Sequence, residues 1–86
     1  MPTISVFFGI SIRMYFGDHQ PPHFHAYYQG HSAVFTLDTL EITSGVLSRR
    51  ARNLVVEWAI DHRVELMDNW QRIETGGELL PIEPLE

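Results

Sequence analysis

The chain has 86 residues, 44% of them hydrophobic and 12% aromatic. That is enough for one small domain with a real core, which excludes both a multidomain chain and a disordered one. It has no cysteine, so disulfides, thiolate metal sites and thiol nucleophiles are excluded, and histidine and carboxylates are the remaining strong metal ligands. The net charge of −5 argues against a strong, sequence-independent nucleic-acid binder.

Charge is unevenly spread. Residues 1–48 carry −2, Arg49, Arg50 and Arg52 together carry +3, and residues 53–86 carry −6. Every cationic side chain is arginine, the residue suited to bidentate contact with phosphate or carboxylate. No apolar run approaches the roughly 20 residues of a membrane helix. The opening MPTISVFFGI has neither a basic n-region nor a cleavage signal, so no secretory leader is expected and a soluble, cytoplasmic protein is.

The pattern predicts an α+β domain spanning residues 1–86. Its small antiparallel sheet of four to five strands (residues 3–43) is packed by one long or kinked helix (48–75) and an extended C-terminal segment. Thr3–Phe8 is aromatic and β-branched and reads as a strand, with a hairpin about Phe8–Gly9. Ile10, Ile12, Met14 and Phe16 then alternate with polar residues, the period of a half-buried strand. Pro21 and Pro22 lack amide donors, so DHQPP must be loop, and a third strand begins at His23. Phe24, Ala26 and Tyr28 form its core face and His23, His25 and Tyr27 its opposite face. Gln29–Gly30 turns into a fourth strand at Ser32–Leu37. A short fifth is expected at Leu40–Thr43.

Ser48 is a good N-cap for a helix reaching Glu74, where Gly76–Gly77 stops it. Ala51, Leu54, Val55, Trp58, Ala59, His62, Leu66, Trp70 and Ile73 form the stripe that packs on the sheet. Such a helix exceeds the usual length and is expected to break or kink near His62. A second apolar strip, Val56, Ile60, Val64 and Met67, either packs on Leu79–Leu85 or forms a partner or dimer surface. Arg49, Arg50 and Arg52 sit on the first turn, where cations oppose the helix dipole, which suits an anionic or acidic partner or RNA.

The candidate site is the cluster of histidines around the double proline. His23 and His25 share a strand face. If the strands pair as predicted, Arg13, Tyr15 and Tyr27 join them, with Asp18 and His19 at the rim. One chemistry is metal-independent RNA cleavage: a histidine pair moves the protons, while arginine or tyrosine steadies the phosphate. Another is a divalent metal, zinc or manganese, on Asp18, His19, His23 and His25. The metal ranks below the acid–base chemistry, and no cofactor is predicted. A third is purely structural, with Asp18 and His19 bonding loop amides and the histidines on an exposed sheet face. His31 is expected in solvent and His62 semi-buried.

The segments MPTI, FGISIRMYF and DHQPPHFHAYY, the helix residues Arg49–Arg50, Leu54, Glu57–Trp58, His62–Arg63 and Asn69–Trp70, and the ending PIEPL resemble the DUF4160 family of domains of unknown function, end to end. Members of that family are often encoded beside a small protein of the DUF2442 type, and such pairs resemble toxin–antitoxin modules. The resemblance implies one partner of a two-protein complex, with the toxin role open to it. Catalysis by the histidine site and a non-enzymatic binding module are the two readings it leaves standing.

Overall fold

The computed structural model describes residues 2–86. Its order is β1 (Thr3–Phe7), β2 (Ile10–Arg13), β3 (His23–Tyr28), β4 (His31–Thr36), β5 (Ile42–Gly45), α1 (Arg49–Asp61) and α2 (Arg63–Thr75). The five strands form one antiparallel sheet in sequence order. Each strand hydrogen-bonds to its chain neighbour, so short turns at Phe8–Gly9 and Gln29–Gly30 suffice, as the sequence suggests.

One sheet face is the core. Ile4, Phe7, Ile10, Ile12, Phe24, Ala26, Ala33 and Phe35 are buried on it. The helices cover this face with Ala51, Val55, Trp58, Ala59, Leu66, Trp70 and Ile73, the buried members of the expected stripe. Phe24 stacks on Phe35 at 5.3 Å, and Trp58 lies 5.3 Å from Phe7. The Ser48 hydroxyl caps α1 by accepting the Ala51 amide at 3.2 Å. Such a cap contributes about 1 kcal/mol, enough to offset one or two first-turn cations at about 0.3–1 kcal/mol each.

The long helix is two helices. His62 leaves helical geometry (φ −120°, ψ 23°), its amide bonds Ala59 O at 3.2 Å, and α2 restarts with Leu66 N–H to His62 O. No residue from 60 to 65 is buried, so the break falls where the chain has no hold on the sheet and can redirect its apolar stripe. His62 is half-buried, its ring 5.4 Å from Trp58.

Two strand limits are also corrected. β2 ends at Arg13, and Phe16, expected on the buried face, is 57% exposed. β5 starts at Ile42 rather than Leu40. Leu40 instead takes positive φ (61°) in a turn closed by its amide to Thr36 O and by Thr36 N–H to Glu41 O, burying its side chain. Gly45 ends β5 at φ 80°, and a Cβ there would collide with the Ser32 carbonyl oxygen. That close approach needs glycine.

The C-terminal segment straps the layers together. Ile82 N–H bonds Ile4 O at 2.8 Å along the edge of β1, and Trp58 Nε1 donates to Glu83 O at 2.8 Å. Asn69, buried on α2, holds the strap through both sides of its amide: Nδ2 to Leu80 O at 2.9 Å and Leu80 N–H to Oδ1 at 3.0 Å. The strap does not cover the second helical strip. Ile60 is 59% and Val64 74% exposed, while Val56 and Met67 are half-buried.

Candidate metal centre and polar sheet face

The outer sheet face carries the site, and strand register sets its layout. Arg13 faces His25 directly across β2 and β3, and His25 faces Val34 on β4. The neighbouring row is Val6, Ser11, Tyr27 and Ser32. The sheet therefore brings Arg13, His25 and Tyr27 together, and Tyr15 joins them just beyond β2. The Tyr15 and Tyr27 hydroxyls hydrogen-bond at 2.7 Å. The Tyr15 ring stands edge-on to His25 at 4.8 Å, and the Arg13 guanidinium lies 4.1 Å above the Tyr27 ring.

His23 departs from expectation. Alternation assigns it to the outer face, yet it is only 4% exposed. The Gly17–Pro22 loop folds against it, and Trp70 of α2 lies 5.2 Å from its ring. Both ring nitrogens are engaged, Nδ1 with Pro21 O at 2.7 Å and Nε2 with Asp18 Oδ2 at 2.8 Å. His25 Nε2 reaches the same Asp18 oxygen at 3.1 Å. The other Asp18 oxygen accepts the His19 amide at 3.1 Å. The Gln20 amide ties the loop to α2 through Glu74.

A carbonyl oxygen and a carboxylate are both acceptors, so His23 must either donate from both nitrogens or donate from Nδ1 alone and turn the Nε2 lone pair to a cation. Burial alone would push the Asp18 carboxyl up. The His25 hydrogen bond, the His23 charge and hydrogen bond, and the His19 amide outweigh it and hold Asp18 below its ordinary value of 3.8. Tyr27 is pushed up, first by its bond to Tyr15 and then by burial, although Arg13 opposes this.

Asp18, His23 and His25 can hold an ion: one ligand atom from each falls within 4.8 Å of the others. His19 is not part of this group. It is exposed, with Nδ1 on Gln20 O at 3.0 Å and its ring 5.3 Å from His23. Arg49, Arg50 and Arg52 are exposed on the first turn of α1. Trp70, the Pro21 carbonyl and Glu74 complete the surroundings, and no sequence spacing marks them.

A small meander sheet under two helices, with an aspartate–histidine cluster at one end of its outer face, is the class that fold and site define. The family described as Domain of unknown function (DUF4160) matches residues 9–71, and the chain belongs to it. No curated protein and no solved structure matches the chain. No helix among the described residues is long and apolar enough to cross a membrane.

Proposed function

We propose that Asp18, His23 and His25 form a divalent transition-metal site, and that the chain is a small metal-dependent hydrolase of anionic esters, RNA phosphodiesters foremost. The observation that carries this reading is the orientation of the three ligand atoms. The Asp18 oxygen contacts the two imidazole nitrogens at 2.8 and 3.1 Å, and all three ligand atoms lie within 4.8 Å of one another. Ligands bonded at 2.0–2.1 Å to one ion lie about 3 Å apart. Two of the three remaining ligand-side atoms are already tied, His23 Nδ1 to a backbone carbonyl and Asp18 Oδ1 to a backbone amide. That outer support fixes a histidine tautomer and points Nε2 at the ion.

The metal reading ranks above metal-independent cleavage for a steric reason. A two-histidine mechanism needs both imidazoles at the substrate, and His23 is buried. Tyr27, pushed up in its titration, is a poor replacement. A bound ion would supply an activated water and a Lewis acid at neutral pH. His25, partly exposed beside Arg13, Tyr15 and Tyr27, would then present the open side to substrate. Equilibrium dialysis against zinc and manganese, paired with hydrolysis of bis(p-nitrophenyl) phosphate, tests this. Stoichiometric binding with ion-dependent turnover supports the proposal. Turnover that survives chelation contradicts it.

A second reading rests on a different observation, the exposure of Ile60 and Val64. Arg49, Arg52, Val56 and Ile60 fall on one line of α1, a basic end running into an apolar one. This stripe fits a small cognate protein with an acidic, apolar-studded segment, as in a toxin–antitoxin-like pair; a homodimer is the competing occupant. Ile60→Asp should leave the monomer's stability within about 0.5 kcal/mol and weaken capture of the adjacently encoded protein. Unaltered capture would remove the stripe as the interface.

A further inference from the structure

Two grooves meet at the Gln29–Gly30 end of the sheet, one on its outer face and one towards α1, and share three residues. The first, of about 400 Å³, is lined by Ser11, Arg13, Tyr27, Tyr28, His31 and Ser32 among others. The second, of about 370 Å³, shares Tyr28, Gln29 and His31 with the first and continues past Val46 to Ser48. Arg49, Arg50 and Arg52 follow at once on the first turn of α1, all exposed. The linings of this trough thus run from Arg13, which faces His25, to Ser48, the residue before the arginine turn.

Its charge is conspicuous in so acidic a chain. Among the described residues, no arginine makes an ion pair with a carboxylate; the ion pairs all involve histidine. Arg13 spends Nε on Ser11 at 3.2 Å and its face on Tyr27, which leaves its terminal nitrogens for a ligand. Aromatic rings lie along and beside the path: Tyr27 and Tyr28 within it, and Phe8, 53% exposed, next to its Gly9 wall. Cations at both ends with aromatic surface between them suit a chain of phosphates carrying bases.

We propose that this trough binds a single-stranded polynucleotide, running from the α1 arginine turn over His31 and Tyr27 to Arg13 and the Asp18–His23–His25 cluster. Only the fate of the strand at the cluster rests on the metal reading; binding in the trough does not.

The test is fluorescence anisotropy of labelled octauridylate and octathymidylate with the intact chain in EDTA. Binding is expected to fall roughly tenfold between about 50 and 200 mM salt, as for two or three phosphate contacts. Arg13→Gln, and separately Arg49→Gln with Arg52→Gln, should each weaken binding several-fold and flatten the salt dependence. Arg63→Gln, off the path on α2, should not. Preference for uridylate narrows the ligand to RNA, and equal binding assigns it to the shared phosphodiester backbone. Absence of binding, equal losses in Arg63→Gln, or displacement by poly-glutamate as effective as by unlabelled oligonucleotide would overturn the proposal, the last in favour of an acidic peptide. Because metal is absent throughout, a failure of zinc binding leaves this result readable.

Discussion

Asp18 and His23 meet at 2.8 Å, a loop carboxylate on a buried imidazole, and the second oxygen and second ring nitrogen of this pair are both held by backbone. Removing the charge but not the shape isolates what the contact does. Asp18→Asn should lower stability by about 1.5–3 kcal/mol, the range for a hydrogen bond to a charged group. Urea unfolding measures it. The same variant should lose zinc binding, because a neutral amide replaces the single anionic ligand.

Acid should act through the same carboxylate. Asp18 titrates below 3.8 in the folded chain and near that value when unfolded. The unfolded state therefore binds the proton more readily, and stability falls as acid is added. The contribution is fully present above the unfolded value and is lost as pH drops from about 4 through the folded one. Urea midpoints followed from pH 6 to pH 3 should decline most steeply at the acid end, and Asp18→Asn should flatten that decline. A parallel decline in the variant would assign the acid sensitivity to other groups.

His23 and His25 should separate by readout. His23 is buried against Trp70 with both nitrogens bonded, so His23→Gln should lower the melting temperature markedly. His25 is less buried, its side chain 22% exposed, so His25→Gln should cost less stability than His23→Gln. Both should abolish metal uptake. Differential scanning calorimetry beside dialysis distinguishes the two roles, and an equally destabilised His25→Gln would make that residue structural.

Asn69→Ala removes the clamp on the C-terminal strap and strands the Leu80 amide and carbonyl. Leu80 is 46% exposed, so a loss of about 0.5–1.5 kcal/mol is expected for each hydrogen bond removed. Limited proteolysis should then cut first within residues 77–86, and more slowly there in the unaltered chain.

The legible part of the fold was the part written as period. Phe24 and Ala26 alternate onto the core, and the spacing of Val55, Trp58, Leu66 and Trp70 marks the helical stripe. The helix's length suggests a break near His62, but no proline or glycine fixes it there; it falls where the chain lacks a buried residue between Ala59 and Leu66. Leu40 was misplaced because a positive φ at leucine follows from burying its side chain in a turn, a tertiary cause. At the site, hairpin order makes β2 and β3 neighbours, but the meeting of Arg13 with His25 depends on a register that the sequence does not fix and the strand pairing sets. The burial of His23 did not, since its wall is Trp70, supplied by a helix far along the chain.

The central claim, that Asp18, His23 and His25 bind one divalent ion, is tested most directly by two-dimensional ¹H–¹⁵N NMR of the imidazole nitrogens during a zinc titration. Stoichiometric zinc should shift the Nε2 resonances of His23 and His25 as their protons are displaced. His23 Nδ1 should keep its proton on Pro21 O, and His19, His31 and His62 should stay unmoved. Unchanged Nε2 resonances at zinc in excess, or equal shifts at all five histidines, would contradict the account.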